Sequence, residues 1–62
     1  MRFTSNAQWP EGTLDYQQNK TQDDHETKEQ AQAVCNMLTQ YGFGGDDIVY
    51  PIRTWVEEYD ES

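Results

Sequence analysis

The sequence has little of what a small protein normally uses either to hold itself together or to do chemistry. Its 62 residues include one cysteine and one histidine. Cys35 has no partner for an internal disulfide, and with His25 alone it cannot complete a Cys/His zinc site within one chain. Basic residues are almost as scarce, four Lys and Arg against twelve Asp and Glu, for a formal charge of -8. Binding nucleic acid by counterion release needs clustered Lys and Arg, and an anionic membrane surface repels an acidic chain, so neither partner is expected. No apolar run approaches the ~20 residues of a transmembrane helix. Met1-Arg2 is not followed by the apolar stretch of a signal peptide, so a cytosolic protein is expected.

Size sets a further limit. A chain of this length buries only about 60% of the surface its unfolded form exposes, which leaves no room for a deep internal active site. Disulfide and metal staples are missing, so self-association is the expected source of extra stability. The excess acid suits attraction to a basic partner surface, although it also serves simple solubility.

What is present is a helix with its ends written in. Ala31, Val34, Cys35, Leu38 and Tyr41 recur at three-and-four spacing and so share one face of a 3.6-residue helix. Thr27 followed by Gln30 is a capping-box pattern, and Asp23, Asp24, Glu26 and Glu29 set negative charge at the positive end of the helix dipole. Gly42-Phe43 reads as a left-handed stop, with Phe43 folding back onto Leu38.

Strands are expected on either side. Residues 1–9 alternate, Phe3, Ser5, Ala7 and Trp9 against Arg2, Thr4, Asn6 and Gln8, the period-two pattern of a half-buried strand. Pro10-Glu11-Gly12 then reads as a bulged hairpin turn, with the proline at the first central position. Thr13 to about Gln18 returns as a second strand, with Leu14 and Tyr16 on its apolar side, and Asn19–Glu26 is expected as an exposed connection into the helix. Past the glycine loop, Ile48 to Val56 alternates again: Ile48, Tyr50, Ile52, Thr54 and Val56 on one face; Val49, Pro51, Arg53, Trp55 and Glu57 on the other. Pro51 cannot donate to a ladder and belongs at an edge or a strand's start. An acidic tail, 57–62, is expected to fray. Strand, strand, helix, strand in a single domain spanning 1–62 predicts a two-layer α+β fold, with a three-stranded antiparallel sheet of order 2-1-3 and one helix covering one face.

Few groups are arranged for chemistry. His25 beside Asp23, Asp24 and Glu26 resembles an acid–base cluster, but no nucleophile is close in sequence, and a role at the start of the helix is preferred. The glycines of Gly42-Phe43-Gly44-Gly45-Asp46-Asp47 follow a helix rather than open one, and the two aspartates repel phosphate, so this is not a phosphate loop. Gly44 and Gly45 exceed what a helix stop needs and would let another chain or ligand approach closely. Asp46 and Asp47 lack the spaced ligands of a calcium loop. Arg53 and Trp55 share a strand face, a pairing enriched at binding hot spots. The candidate interaction residues are Arg53, Trp55, Val49, Gly44, Gly45, Asp46 and Asp47; no catalytic, metal or cofactor residue is expected.

From Lys20 onward the chain resembles a group of short, uncharacterised open reading frames of tailed bacteriophages. The matching residues are His25, Thr27, Ala31–Cys35 (AQAVC), Gly42-Phe43-Gly44-Gly45 and Pro51–Val56 (PIRTWV). The resemblance implies origin and brings no activity: a small phage accessory protein acting in the host bacterial cytoplasm. The functional expectation is a non-enzymatic protein that binds and inhibits a host protein with a basic surface, for example one of antiviral defence. The alternatives are an oligomeric small-ligand protein, holding a nucleotide signal with Arg53, Trp55 and the glycine loop, and a structural or regulatory phage module. A homodimer burying Trp55 between subunits is expected.

Overall fold

The computed structural model describes residues 1–13 and 19–60. Strand β1 spans Arg2–Gln8, β2 Lys20–His25, helix α1 Lys28–Tyr41 and β3 Arg53–Tyr59. The three strands form one antiparallel sheet in the order β2-β1-β3, and the fold is the expected α+β arrangement of one sheet and one helix.

The register explains which side the helix takes. Directly opposed residues of antiparallel strands share a face. Ser5 lies between Asp23 and Val56, and Ala7 between Thr21 and Thr54. This is the helix side: Thr39 Oγ1 lies 3.2 Å from Thr54 Oγ1, and Cys35 Sγ is 3.4 Å from the Trp55 carbonyl. Among the described residues, Ala7, Trp9, Ala31 and Cys35 form the buried apolar core. Three of the four are small, so the helix backbone lies close on the sheet. Cys35 occupies the place of a small hydrophobe, as its position on the stripe predicts.

Helix α1 begins as its sequence indicates. Thr27 is extended at φ -128°, ψ 155°, and its hydroxyl accepts the Gln30 amide at 3.2 Å. The reciprocal bond is shifted by one residue, since Gln30 Oε1 accepts from the Glu26 amide rather than from Thr27. Gly42 ends the helix at φ 72°, its amide donating to the Leu38 carbonyl at 2.9 Å. Phe43 remains 69% exposed, with its ring edge-to-face on Trp9 at 6.1 Å. Its backbone pairs with Val49 in both directions, and it lines one cavity together with Leu38 and Trp9. Tyr41 leaves the apolar stripe and is exposed, because the sheet ends before the last helical turn.

Other expectations are corrected. The second strand is Lys20–His25, within the stretch read as a connection; of the expected strand, residues 14–18 lie outside the described residues. Segment KTQDDH has no apolar alternation, and its strand conformation comes from pairing with β1. Turn geometry differs too: the Thr13 amide bonds the Pro10 carbonyl at 3.1 Å, so proline opens the turn instead of taking its first central position. The third strand starts at Arg53, not Ile48. Val49 is taken up by Phe43, Pro51 has no N–H to give, and the ladder with β1 begins where the Ile52 amide reaches the Gln8 carbonyl at 2.6 Å. The strand then continues through Glu57 and Glu58, opposite Thr4 and Phe3. That part of the tail does not fray, because a seven-residue β1 offers partners along its whole length.

Candidate functional site

Two surfaces carry the groups singled out in the sequence. The first is the sheet face opposite the helix, built from the alternate residues of each strand. Asp24, Thr4 and Glu57 form one cross-strand row, Gln22, Asn6 and Trp55 the next, and Lys20, Gln8 and Arg53 the third. At the end where β1 begins, Arg2 opposes Tyr59.

Hydrogen bonds stitch these rows. Asn6 Nδ2 donates to Thr4 Oγ1 at 3.0 Å, and Asn6 Oδ1 accepts from Gln22 Nε2 at 3.1 Å. Thr4 and Asn6 are almost fully buried although no described element covers them, and among the described residues no buried side-chain polar atom lacks a partner. Arg53 stacks its guanidinium 4.6 Å from the centre of the Trp55 ring, while Trp55 Nε1 donates to Glu57 at 3.1 Å. The Arg53–Trp55 pairing inferred from their spacing is therefore formed.

Beside it, Asp24 joins β2 to β1 and β3. It accepts from Arg2 Nε at 2.6 Å and from the Tyr59 hydroxyl. The Tyr59 hydrogen bond is the main influence holding the Asp24 carboxyl below its ordinary range; the bond and charge of Arg2 act the same way, against partial desolvation. The same bond holds the Tyr59 hydroxyl above its ordinary range. Between them, Thr4, Gln22, Asp24, Glu57, Glu58 and Tyr59 line an open hollow of about 380 Å³. Asp24 and Glu57, the two carboxylates on this face, suit a hydrogen-bond-donating cation such as a Lys or Arg side chain, while Glu58, opposite Phe3, belongs to the helix side.

The second surface is at the end of the helix. Trp9, Leu38, Phe43, Gly44, Asp47 and Val49, with the β2 edge at Thr21–Asp23, line a cavity of about 600 Å³. Trp9 is held there by its Nε1–H bond to Thr21 Oγ1 at 2.9 Å. Val49, expected on the face of Arg53 and Trp55, lines this cavity instead, since it precedes β3 and pairs with Phe43. Gly44 is closely approached, but by the Asp47 carbonyl of its own loop at a positive φ of 124°. Gly45 and Asp46 stand exposed in that loop. The residues of the nucleotide reading are thus divided between two surfaces, and the one holding Gly44 also holds Asp23 and Asp47.

His25 ends β2, with Nε2 2.9 Å from Ser5 Oγ. Sequence reasoning found no hydroxyl or thiol in reach of His25; the register supplies one from β1. Ser5 is only 3% exposed and neither residue lines either cavity, so the contact fastens two strands rather than facing a substrate. The bonds of Asp24 to Arg2 and Tyr59 were also missed, because they join residues 22 and 35 positions apart. Among the described residues no cluster of His, Cys, Asp and Glu could hold a metal ion, and no helix is long and apolar enough to cross a membrane. No protein-family model, curated protein or solved structure matches the chain.

Proposed function

We propose that this chain is a small non-enzymatic bacteriophage accessory protein that binds a basic surface of a host protein in the bacterial cytoplasm and inhibits it, for example a factor of antiviral defence. The observation that carries this reading is the hollow on the open face that Asp24 and Glu57 share, with Glu58 beside it on the same strand. Topology reinforces it. β1 begins where β2 and β3 end and where α1 starts, so Asp24, Glu26, Glu29, Glu57, Glu58 and Asp60 collect at one end of the molecule and outnumber its bases, Arg2 and Lys28. Such a concentrated field accelerates encounter with a positive surface and discriminates against acidic ones. The phage origin rests on the resemblance carried by AQAVC, GFGG and PIRTWV.

Capture of partners from host lysate, with identification by mass spectrometry, tests the reading. The captured protein should present a basic patch, and its retention should fall steeply with added salt. The triple change Asp24→Asn, Glu57→Gln, Glu58→Gln should abolish capture and inhibition together in a folded chain. A partner held equally well at high salt and by the triple variant would overturn the proposal.

A further inference from the structure

The apolar surface of this protein is not on the sheet face that one helix leaves open. Apart from Trp55, whose ring is engaged by Arg53 and Glu57, and Tyr59, 43% exposed with its hydroxyl on Asp24, the side chains projecting from that face are polar. Six large apolar or aromatic side chains are instead half to two-thirds exposed around the end of α1: Met37, Tyr41, Phe43, Ile48, Tyr50 and Ile52. Met37 and Tyr41 lie one helical turn apart. A Cβ placed on Gly42 would meet Ile48 Cγ2 at 2.6 Å and Tyr50 Cδ1 at 3.2 Å, which puts those two side chains directly against the helix terminus. Phe43 is bridged to Val49 beside them, and Ile52 is tied to the end of β1.

We propose that a second copy of this chain docks on this apolar end, forming a symmetric dimer that leaves the acidic end free. Area is the first reason. Taking ~200 Å² for a large side chain, the six present on the order of 700 Å², close to the ~800 Å² each partner contributes to a standard interface. A monomer's largest apolar patch is usually about 300–600 Å².

Charge is the second reason, and it selects a copy of the same chain. Among the described residues, Glu11, Asp46 and Asp47 at this end stand against Lys20 and Arg53, whereas the six carboxylates at the other end stand against Arg2 and Lys28. The main acidic cluster lies at the other end of a 14-residue helix, about 21 Å away at ~1.5 Å per residue. That distance exceeds two Debye lengths of ~8 Å at physiological salt. An isologous contact through the apolar end therefore keeps the repelling carboxylates apart. A basic partner, by contrast, gains nothing from this end. The thin core supplies the need, since a second copy buries what the four core residues among those described, three of them small, cannot. The interface stands independently of the proposed host target, which uses the other end.

Sedimentation velocity on the full chain tests the proposal. The parent should be a dimer. Met37→Lys and Ile52→Lys, at two elements and each verified as folded by circular dichroism, should each raise the dimer dissociation constant by at least about tenfold. Trp55→Ala should leave it unchanged. A measurement without substitutions runs alongside: in a mixture of isotope-labelled and unlabelled parent chains, intermolecular NOEs should appear at the Ile48 and Ile52 methyls. A monomeric parent, folded variants that dimerise like the parent, a dimer lost with Trp55→Ala, or intermolecular NOEs on the Trp55 face would each overturn it. Failure here leaves capture of the host protein to be judged by its own salt dependence.

Discussion

The two faces of β1 are buried to nearly the same extent by different means. On the helix side, Ser5 and Ala7 are 3% and 1% exposed, beneath Ala31 and Cys35. On the other side, Thr4 and Asn6 are 6% and 5% exposed with no layer above them among the described residues. There the neighbouring side chains of β2 and β3 close over the central strand, and hydrogen bonds between Asn6, Thr4 and Gln22 satisfy what is covered. The difference shows that a sheet face without a helix is not automatically an unfinished apolar face. A central strand of short polar residues can be covered by its own sheet when every donor and acceptor is used. The apolar excess then collects elsewhere, here at the helix terminus.

The comparison breaks most readily on the helix side. Trp9 closes that core at one end, fully buried, edge-on to Phe43 and bonded to Thr21. Trp9→Ala should cost about 3–5 kcal/mol, a third or more of the ~3–9 kcal/mol that ~0.05–0.15 kcal/mol per residue gives a chain of 62 residues. Urea denaturation would show the variant largely unfolded without denaturant. A parent-like midpoint would mean the packed face is not the main source of stability.

A smaller loss is expected from the polar face. Asn6→Ala removes the donor to Thr4 Oγ1 and to the Trp55 carbonyl, and the acceptor for Gln22. Stranding buried groups costs about 1–3 kcal/mol. Asn6→Ala with Gln22→Ala should be less destabilising than the sum of the two single changes, since the second removes a group the first had stranded. Strict additivity in a double-mutant cycle on the urea midpoints would show that the bonds on this face act separately.

How legible these faces were in the sequence depends on where the information lies. The period of α1 and the alternation of β1 are carried by their own residues, and from those two elements the sheet order and the single helical layer follow. KTQDDH carries no such signal. Its strand is specified by what lies opposite: Thr21 under the Trp9 indole, Gln22 on Asn6, Asp24 on Arg2, His25 on Ser5. Low intrinsic strand propensity yields to that pairing, and the charge of an edge strand guards it against further pairing. For β3 the alternation runs through Ile48 to Val56, and period alone does not say where pairing begins; the Phe43–Val49 bridge and Pro51 move the start to Arg53. On the site, Arg53 and Trp55 were legible as neighbours two apart on one strand. The hollow of Asp24, Glu57 and Tyr59 was not, because it needs the register of all three strands at once.

The finest difference between the faces is their response to pH, and it is read at Asp24. This carboxyl is held below its ordinary value of 3.8, first by the Tyr59 hydroxyl and then by Arg2. A depressed carboxylate contributes stability that is present above its unfolded pKa and is lost as pH falls through its folded pKa. Tyr59 has the opposite sign. Its pKa is raised above 10.0 by the same bond, so its contribution is present below that value and is lost as pH rises through the folded pKa. Both losses fall on the open face. Asp24 is exposed, with 45% of its side chain accessible, so solvent and salt screen the effect and it should be the smallest of the three. Asp24→Asn keeps the shape but cannot carry the charge. The melting temperature of parent minus variant should be positive and flat from about pH 5 to pH 9, shrink as the pH is lowered past the folded pKa of Asp24, and narrow in 1 M salt. Thermal melts across pH at two salt concentrations measure it. A difference that stays constant down to pH 2 would show that Tyr59 and Arg2 do not favour the ionised carboxylate, and that the tie across the open face is one of shape alone.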